Sequence, residues 1–129
     1  MSKYLKINLE GTNAQITIRI EIEDNDDVVA FHDTEEIGRF EFEPTEDGSR
    51  YNLELLFMNV KPDYKNLGIG KSLMTYAVNK HGEFLLPKPE CFVNATNKLT
   101  DEGAYLINSC FRNRILPRIF KKQYDHSPY

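Results

Sequence analysis

Only two cysteines occur in the 129 residues, Cys91 and Cys110, and they lie far apart in apolar surroundings. This scarcity and separation argue against a disulfide framework and favour buried free thiols. The three histidines are scattered and show no ligand spacing with the cysteines. Because metal sites need clustered ligands, no metal site is predicted.

The sequence also lacks long apolar runs and a global excess of basic charge. No segment approaches the roughly 18 apolar residues of a membrane span, and the N-terminal MSKYLKINLEG has no signal-peptide apolar core. We therefore expect a cytoplasmic protein without a membrane partner. The formal net charge of −4 argues against nucleic acid as a partner, since phosphate backbones attract basic surfaces.

Length and composition fit one domain covering residues 1–129. Hydrophobic residues make up 40% of the chain and charged residues 28%, which suits one packed core and a solvated surface. The C-terminal segment KKQYDHSPY has no apolar pattern. We therefore expect residues 121–129 to form a loose tail.

Alternation of apolar and polar residues predicts a run of antiparallel strands in the first half of the chain. The pattern is clearest in AQITIRIEIE, where the isoleucines point to one face and the polar residues to the other. Turn-forming Gly, Pro, Asn and Asp separate these segments. The predicted strands are Tyr4–Leu9, Ala14–Glu23, VVAFH, Ile37–Phe42 and Tyr51–Val60, with CFVNA as a later strand.

The second half of the chain has a helical period. A helix is predicted from Leu67, and Gly82 is a natural helix stop. A second helix is expected to follow Thr100, whose hydroxyl can cap it, and to end before Pro117. Strands followed by helices indicate the α+β class.

The segment NVKPDYKNLGIGKSLM joins the last of the early strands to the first helix. Backbone N–H groups and the positive end of a helix dipole meet at such a turn, which suits a phosphate. Gly68 and Gly70 allow close approach of a ligand. A P-loop is excluded because one residue separates these glycines, and a dinucleotide fingerprint is excluded because Leu73 replaces its third glycine. A turn without a ligand remains the alternative.

The wider segment LELLFMNVKPDYKNLGIGKSLM resembles the acetyl-CoA-binding motif of the GNAT superfamily of N-acetyltransferases. The shared elements are an apolar strand ending in Val, a proline, an aromatic, a basic residue and GxG before an apolar helix. The resemblance covers Leu53–Val78, and more loosely Cys91–Leu116. It implies an α+β fold with a mixed, mostly antiparallel central sheet, two main helices and abbreviated N-terminal helices, and acetyl-CoA as co-substrate.

Carried over position by position, the resemblance implies that backbone groups of Met58 and Val60 bind the pantetheine arm. It implies that N–H groups of the glycine loop hold the pyrophosphate, with Ser72 nearby. Lys65 stands where the family usually has Arg or Gln, and Asn97 matches a family Asn that contacts the cofactor. The loop residues are Asn66, Leu67, Gly68, Ile69, Gly70 and Lys71, of which Leu67 and Ile69 are expected to pack in the core.

Acetyl transfer needs a base for the amine and a donor for the developing oxyanion. In the histone-acetyltransferase branch a glutamate eleven residues before the basic position is the base, and Glu54 has this offset from Lys65. Strand alternation places Glu54 on the face of Leu56, Met58 and Val60, and the Met58 N–H would be the oxyanion donor. A solvated surface carboxylate is the alternative for Glu54.

The family's proton donor to the leaving thiolate is a tyrosine on the second helix. Tyr105 lies on that helix, but the family tyrosine stands nearer the helix end, close to Ser109 or Cys110, with Arg114 and Ile115 in place of the expected Gly-Phe. Tyr105 is therefore the candidate acid, with a packing role as the alternative.

Only short turns and VVAFH separate the early strands, so the acceptor groove is expected to be open. This favours a protein or peptide amine over a small metabolite as acceptor. The acidic run Glu41–Asp47 could steer a basic acceptor. A noncatalytic binding or inhibitor protein on a GNAT-like fold is the alternative function. A homodimer is left open as one oligomeric state.

Overall fold

The computed structural model describes residues 2–8, 14–45, 51–87 and 101–124. Five strands come first and the helices follow. The strands are β1 Ser2–Asn8, β2 Gln15–Ile22, β3 Val28–His32, β4 Glu35–Pro44 and β5 Leu53–Val60. The helices are α1 Ile69–His81, α2 Asp101–Arg112 and α3 Arg118–Lys121, with 3-10 turns at Pro62–Tyr64 and Lys122–Tyr124.

The strands form one sheet in the order β1-β2-β3-β4-β5, and every neighbouring pair is antiparallel. A parallel bridge joins Glu54 of β5 to Leu85. The predicted α+β fold is confirmed, and the described part of the sheet is antiparallel apart from this bridge. The predicted strand CFVNA and the capping residue Thr100 lie outside the described residues.

The core lies between one face of this sheet and the helices. Ile18 and Ile20 of β2 are fully buried, as the alternation predicted, and so are Leu73 and Met74 of α1. A side chain at Gly38 of β4 would approach the Leu73 side chain to 3.2 Å, so glycine lets α1 lie close against the sheet. Apolar burial of this extent is the main stabilising term of the fold.

The predicted helices are found, with ends that differ by a few residues from the expectation. α1 begins at Ile69 instead of Leu67, and Gly82 ends it as predicted, with a φ of 69° and an N–H bonded to Val78 O. α2 ends at Arg112, well before Pro117, because Arg114 adopts a left-handed φ of 59°. None of the helices in these ranges is long and apolar enough to cross a bilayer.

The structure differs from the expected loose tail at residues 121–124. α3 ends at Lys121, and a 3-10 turn continues to Tyr124. The Gln123 side chain accepts a hydrogen bond from the N–H of Leu86 at 2.7 Å and donates one to Phe84 O at 2.8 Å. The segment 84–86 is thus hydrogen-bonded on both edges. The Gln123 amide bonds one edge, and β5 pairs with the other edge through Leu85.

Candidate functional site

The connection between β5 and α1 forms a compact cradle. Pro62 opens a 3-10 turn, where its fixed φ and missing N–H are tolerated. Tyr64 N bonds Lys61 O at 2.9 Å, and Lys65 N bonds Pro62 O at 3.2 Å. The chain then reverses through left-handed Asn66, with a φ of 65°. Asparagine is one of the few residues besides glycine that adopt this conformation readily.

Gly68 completes the reversal at the N-cap of α1, also in the left-handed region with a φ of 81°. Ser72 N bonds Gly68 O at 3.0 Å, which is the first helical hydrogen bond. The N–H groups of Ile69, Gly70 and Lys71 precede that bond and have no intrahelical acceptor. No side chain caps the helix and its first turn holds no acidic residue, so this end is suited to an anion.

The two glycines of the loop have different roles. A Cβ at Gly68 would meet nothing within 4 Å, so this position opens toward the space in front of the helix. A Cβ at Gly70 would lie 3.2 Å from both δ carbons of Leu106 on α2. Gly68 is therefore required by backbone conformation, whereas Gly70 lets α1 approach α2.

A cavity of about 660 Å³ lies in front of this cradle, between the end of β5 and α2. Its volume is in the range of small-molecule sites. The predicted site residues that line it are Met58, Val60, Lys65, Asn66, Gly68, Ile69, Gly70, Lys71 and Tyr105. Further lining residues, which the sequence did not assign, are Asn59, Tyr64, Gly103, Leu106 and Ser109.

Among the residues that the structure describes, the outer edge of β5 carries no backbone hydrogen bond at Met58 and Val60, which line this cavity. Lys61 donates its N–H to Ile37 of β4 at 2.8 Å, whereas Leu55 donates in the opposite direction, to Leu85 at 2.9 Å. Hydrogen-bonding groups alternate between the two edges of a strand. Counting back from Lys61, the polar groups of Val60 and Met58 point to the outer edge of β5. Within the described residues, Leu85 pairs with that edge only at Leu53 and Leu55.

The comparison with protein families agrees with this geometry. Residues 5–98 match the model of the Acetyltransferase (GNAT) family. The chain belongs to the GNAT family of acetyltransferases. No curated protein and no solved structure matches it. The matched range includes nearly all of the sheet, the cradle and α1.

Of the other predicted residues of this GNAT-family chain, Leu67 and Ser72 do not line the cavity. Leu67 is half-buried and packs against the core, as expected for an apolar residue of the loop. Ser72 is half-buried in the first turns of α1 and does not line the cavity. Asn97 lies outside the described residues. The described part of the chain has no cluster of three or more metal-ligating side chains.

Glu54 does not share a face with Met58 and Val60, so the alternation predicted for β5 is wrong. Phe42 pairs with Leu55 and Glu41 with Phe57, which leaves Leu56 as the extra residue of a β-bulge. A bulge reverses the alternation beyond it, because side chains otherwise change face at every residue. Glu54 therefore lies on the sheet face opposite α1, near the exposed ring of Phe57. Its role as base stays a prediction.

The α2 wall carries the candidate proton donors. Tyr105 is 71% exposed at the cavity, so it is not a core residue, and its role as proton donor stays a prediction beside the alternative of surface packing. Ser109, one turn further along, is buried, and its Oγ accepts a hydrogen bond from Asn113 Nδ2 at 3.3 Å. Cys110 is fully buried, and this burial raises the pKa of its thiol to about 11, with Lys71 opposing the shift.

Two cavity residues could have been found from sequence signals. Ser109 stands four residues after Tyr105, and residues at this spacing share a helix face. Tyr64 is the aromatic residue of the family motif, but the motif does not reveal its partner. That partner is His32, 32 residues earlier, whose Nδ1 lies 2.7 Å from the Tyr64 hydroxyl oxygen.

Proposed function

We propose that this chain binds acetyl-CoA in the cavity between β5, the glycine cradle and α2, and transfers the acetyl group to an amine by direct transfer. When bound, acetyl-CoA supplies an acetyl group activated as a thioester. The observation that carries the proposal is the joint exposure of two backbone surfaces to one cavity. These surfaces are the first-turn N–H groups of α1 and the outer edge of β5 at Met58 and Val60.

The α1 end of the cavity suits the pyrophosphate of the co-substrate. Three uncapped N–H groups and the helix dipole favour negative charge there. Lys65 and Lys71 line the same space and add positive charge. The left-handed Gly68 leaves room where a side chain would stand. A diphosphate would find both hydrogen-bond donors and positive charge at this end of the cavity.

The β5 edge suits the pantetheine arm, which carries amide groups. An amide-bearing chain can hydrogen-bond to a free strand edge as another strand would. The Met58 N–H points to that edge and is the proposed donor to the thioester carbonyl oxygen. The bulge at Leu56 is where regular pairing along β5 is interrupted, and bulges are frequent beside active sites.

The acceptor amine must lose a proton, and Glu54 is the proposed base. Its position on the face opposite α1 means that the acceptor would approach from that side of the sheet. The same face carries exposed Glu41 and Glu43 and the exposed ring of Phe57. We therefore propose a basic protein or peptide segment as the acceptor. Tyr105 is the proposed donor of the proton to the leaving thiolate.

Calorimetric titration with acetyl-CoA and CoA tests the binding step. We expect the wild-type chain to bind both and Gly68→Glu to abolish binding, because the variant places a carboxylate where the pyrophosphate would lie. Gly82→Glu is a matched control, since Gly82 also has a positive φ of 69° and open space, but at the other end of α1. Absence of wild-type binding at millimolar ligand would refute the proposal.

A second candidate is a noncatalytic acetyl-CoA-binding or inhibitor protein. The observation that favours it lies on α2. Near the helix end, where the family's proton-donating tyrosine is expected, α2 has buried Ser109 and Cys110, and Tyr105 lies more than a turn earlier. Release of CoA in the presence of lysine-bearing peptides separates the two candidates. Transfer predicts turnover that Glu54→Gln lowers at unchanged acetyl-CoA affinity. Binding without turnover in either form supports the second candidate.

A further inference from the structure

The connection from Lys61 to Gly68, called here the cradle loop, is tied to the hairpin between β3 and β4. Lys61 N bonds Ile37 O at 2.8 Å, and its ammonium group lies 2.8 Å from Glu35 Oε2. The Tyr64 hydroxyl oxygen lies 2.7 Å from His32 Nδ1. Three contacts of different kinds therefore join two segments that are distant in sequence.

The contact between His32 and Tyr64 is the most protected of the side-chain ties. Both residues are half-buried, and their rings meet edge to face with centroids 5.6 Å apart. The Lys61–Glu35 pair is about half-exposed on both sides and is therefore weakened by solvent and salt. The two ring nitrogens of His32 face different partners: Nδ1 faces the Tyr64 hydroxyl, and Nε2 faces the exposed Asp33 carboxylate at 4.0 Å. Depending on the tautomer of the ring, Nδ1 accepts a hydrogen bond from the hydroxyl or donates one to it.

His32 is a rigid anchor, because β3 is an internal strand. His32 pairs with Ile18 of β2 on one side and with Glu35 of β4 on the other. Tyr64, by contrast, ends the 3-10 turn and lines the cavity together with the next two residues, Lys65 and Asn66. A displacement of Tyr64 is therefore passed to the residues that lead into the N-terminus of α1.

We propose that His32 is a positioning residue for co-substrate binding, acting through Tyr64 on the cradle loop. This inference rests on the proposed binding of acetyl-CoA. With the hydrogen bond in place, the loop is held in its binding conformation before the ligand arrives. Without it, part of the binding free energy is spent on ordering the loop. Neither residue needs to contact the acetyl group.

The test is a double-mutant cycle measured as CoA affinity by calorimetry. Tyr64→Phe and His32→Leu should each weaken binding about two- to tenfold, the effect of one hydrogen bond. The double variant should bind CoA as tightly as the single variant with the lower affinity, because both changes remove the same hydrogen bond. His32→Gln should recover part of the affinity, because its amide can accept a hydrogen bond from the phenol or donate one to it.

His81→Leu is the matched control. His81 is also half-buried and also makes one hydrogen bond, from Nε2 to Asp26 O at 2.9 Å, but at the far end of α1. The His81→Leu variant should be less stable than wild type but should bind CoA with wild-type affinity. Additive effects in the cycle, or equal CoA affinities of His32→Leu and His81→Leu, would overturn this inference but not the proposed function. Absence of wild-type binding would instead overturn the proposed function beneath it.

Discussion

Replacement of Gln123 by alanine should lower the free energy of unfolding more than most substitutions at partly exposed positions do. The side chain bonds two backbone groups, the Leu86 N–H and the Phe84 carbonyl, and both residues are buried. A buried backbone group that loses its partner costs about 1–3 kcal/mol. Because Gln123 is half-buried and water can replace part of its role, we expect a total of about 2–3 kcal/mol.

The assay is urea unfolding followed by circular dichroism, with thermal unfolding as a second measurement. For a chain of this size the loss corresponds to a midpoint lower by about 6–12 °C. Gln123→Glu should also be clearly less stable than wild type, because its carboxylate accepts from the Leu86 N–H but places a negative oxygen against the Phe84 carbonyl oxygen. The adjacent, exposed Lys122→Ala should stay within about 0.5 kcal/mol of wild type. An equally small effect of Gln123→Ala would refute the reasoning.

Two further predictions concern stability. Arg39→Met should lower the free energy of unfolding in urea by about 2 kcal/mol or more, because Asp27, only 3% exposed, loses the guanidinium 2.6 Å away. Adding Asp27→Asn to this variant should recover part of the loss, and a double variant less stable than Arg39→Met would contradict this reasoning. Burial raises the pKa of Cys110 to about 11, so its neutral thiol stabilises the fold fully below about pH 8.5 and this contribution is lost as pH rises toward 11. Cys110→Ala should therefore flatten the decline in unfolding free energy above about pH 8.5, and parallel pH profiles would contradict the assignment.

The bulge in β5 links the fold to the direction of acceptor approach. If every residue of β5 alternated regularly, with Leu56 paired like its neighbours, Glu54 would lie on the same face as Met58, beneath α1. With it, the candidate base and the helix-covered face are separated by the sheet. Glu54 does not line the cavity, and beside it the outer edge of β5 is paired to Leu85 through Leu53 and Leu55.

The order of strands and helices could be predicted from the sequence because its signals are local. β3 was predicted with its observed bounds, and Gly82 ends α1 as expected. The cradle was predicted for the same reason. Its proline, asparagine and glycines restrict the backbone within a few residues of themselves, and the family motif lies in one continuous segment.

What the sequence by itself determined is therefore the class of fold, the family and the position of the cradle along the chain. Tertiary structure alone decided the face of Glu54, because a register shift depends on how β4 and β5 pair and leaves no mark on local alternation. It also decided the partners of Tyr64 and Gln123, which lie 32 and 37 to 39 residues away. Contacts at such separations arise only when the core brings the segments together, and no local pattern encodes them.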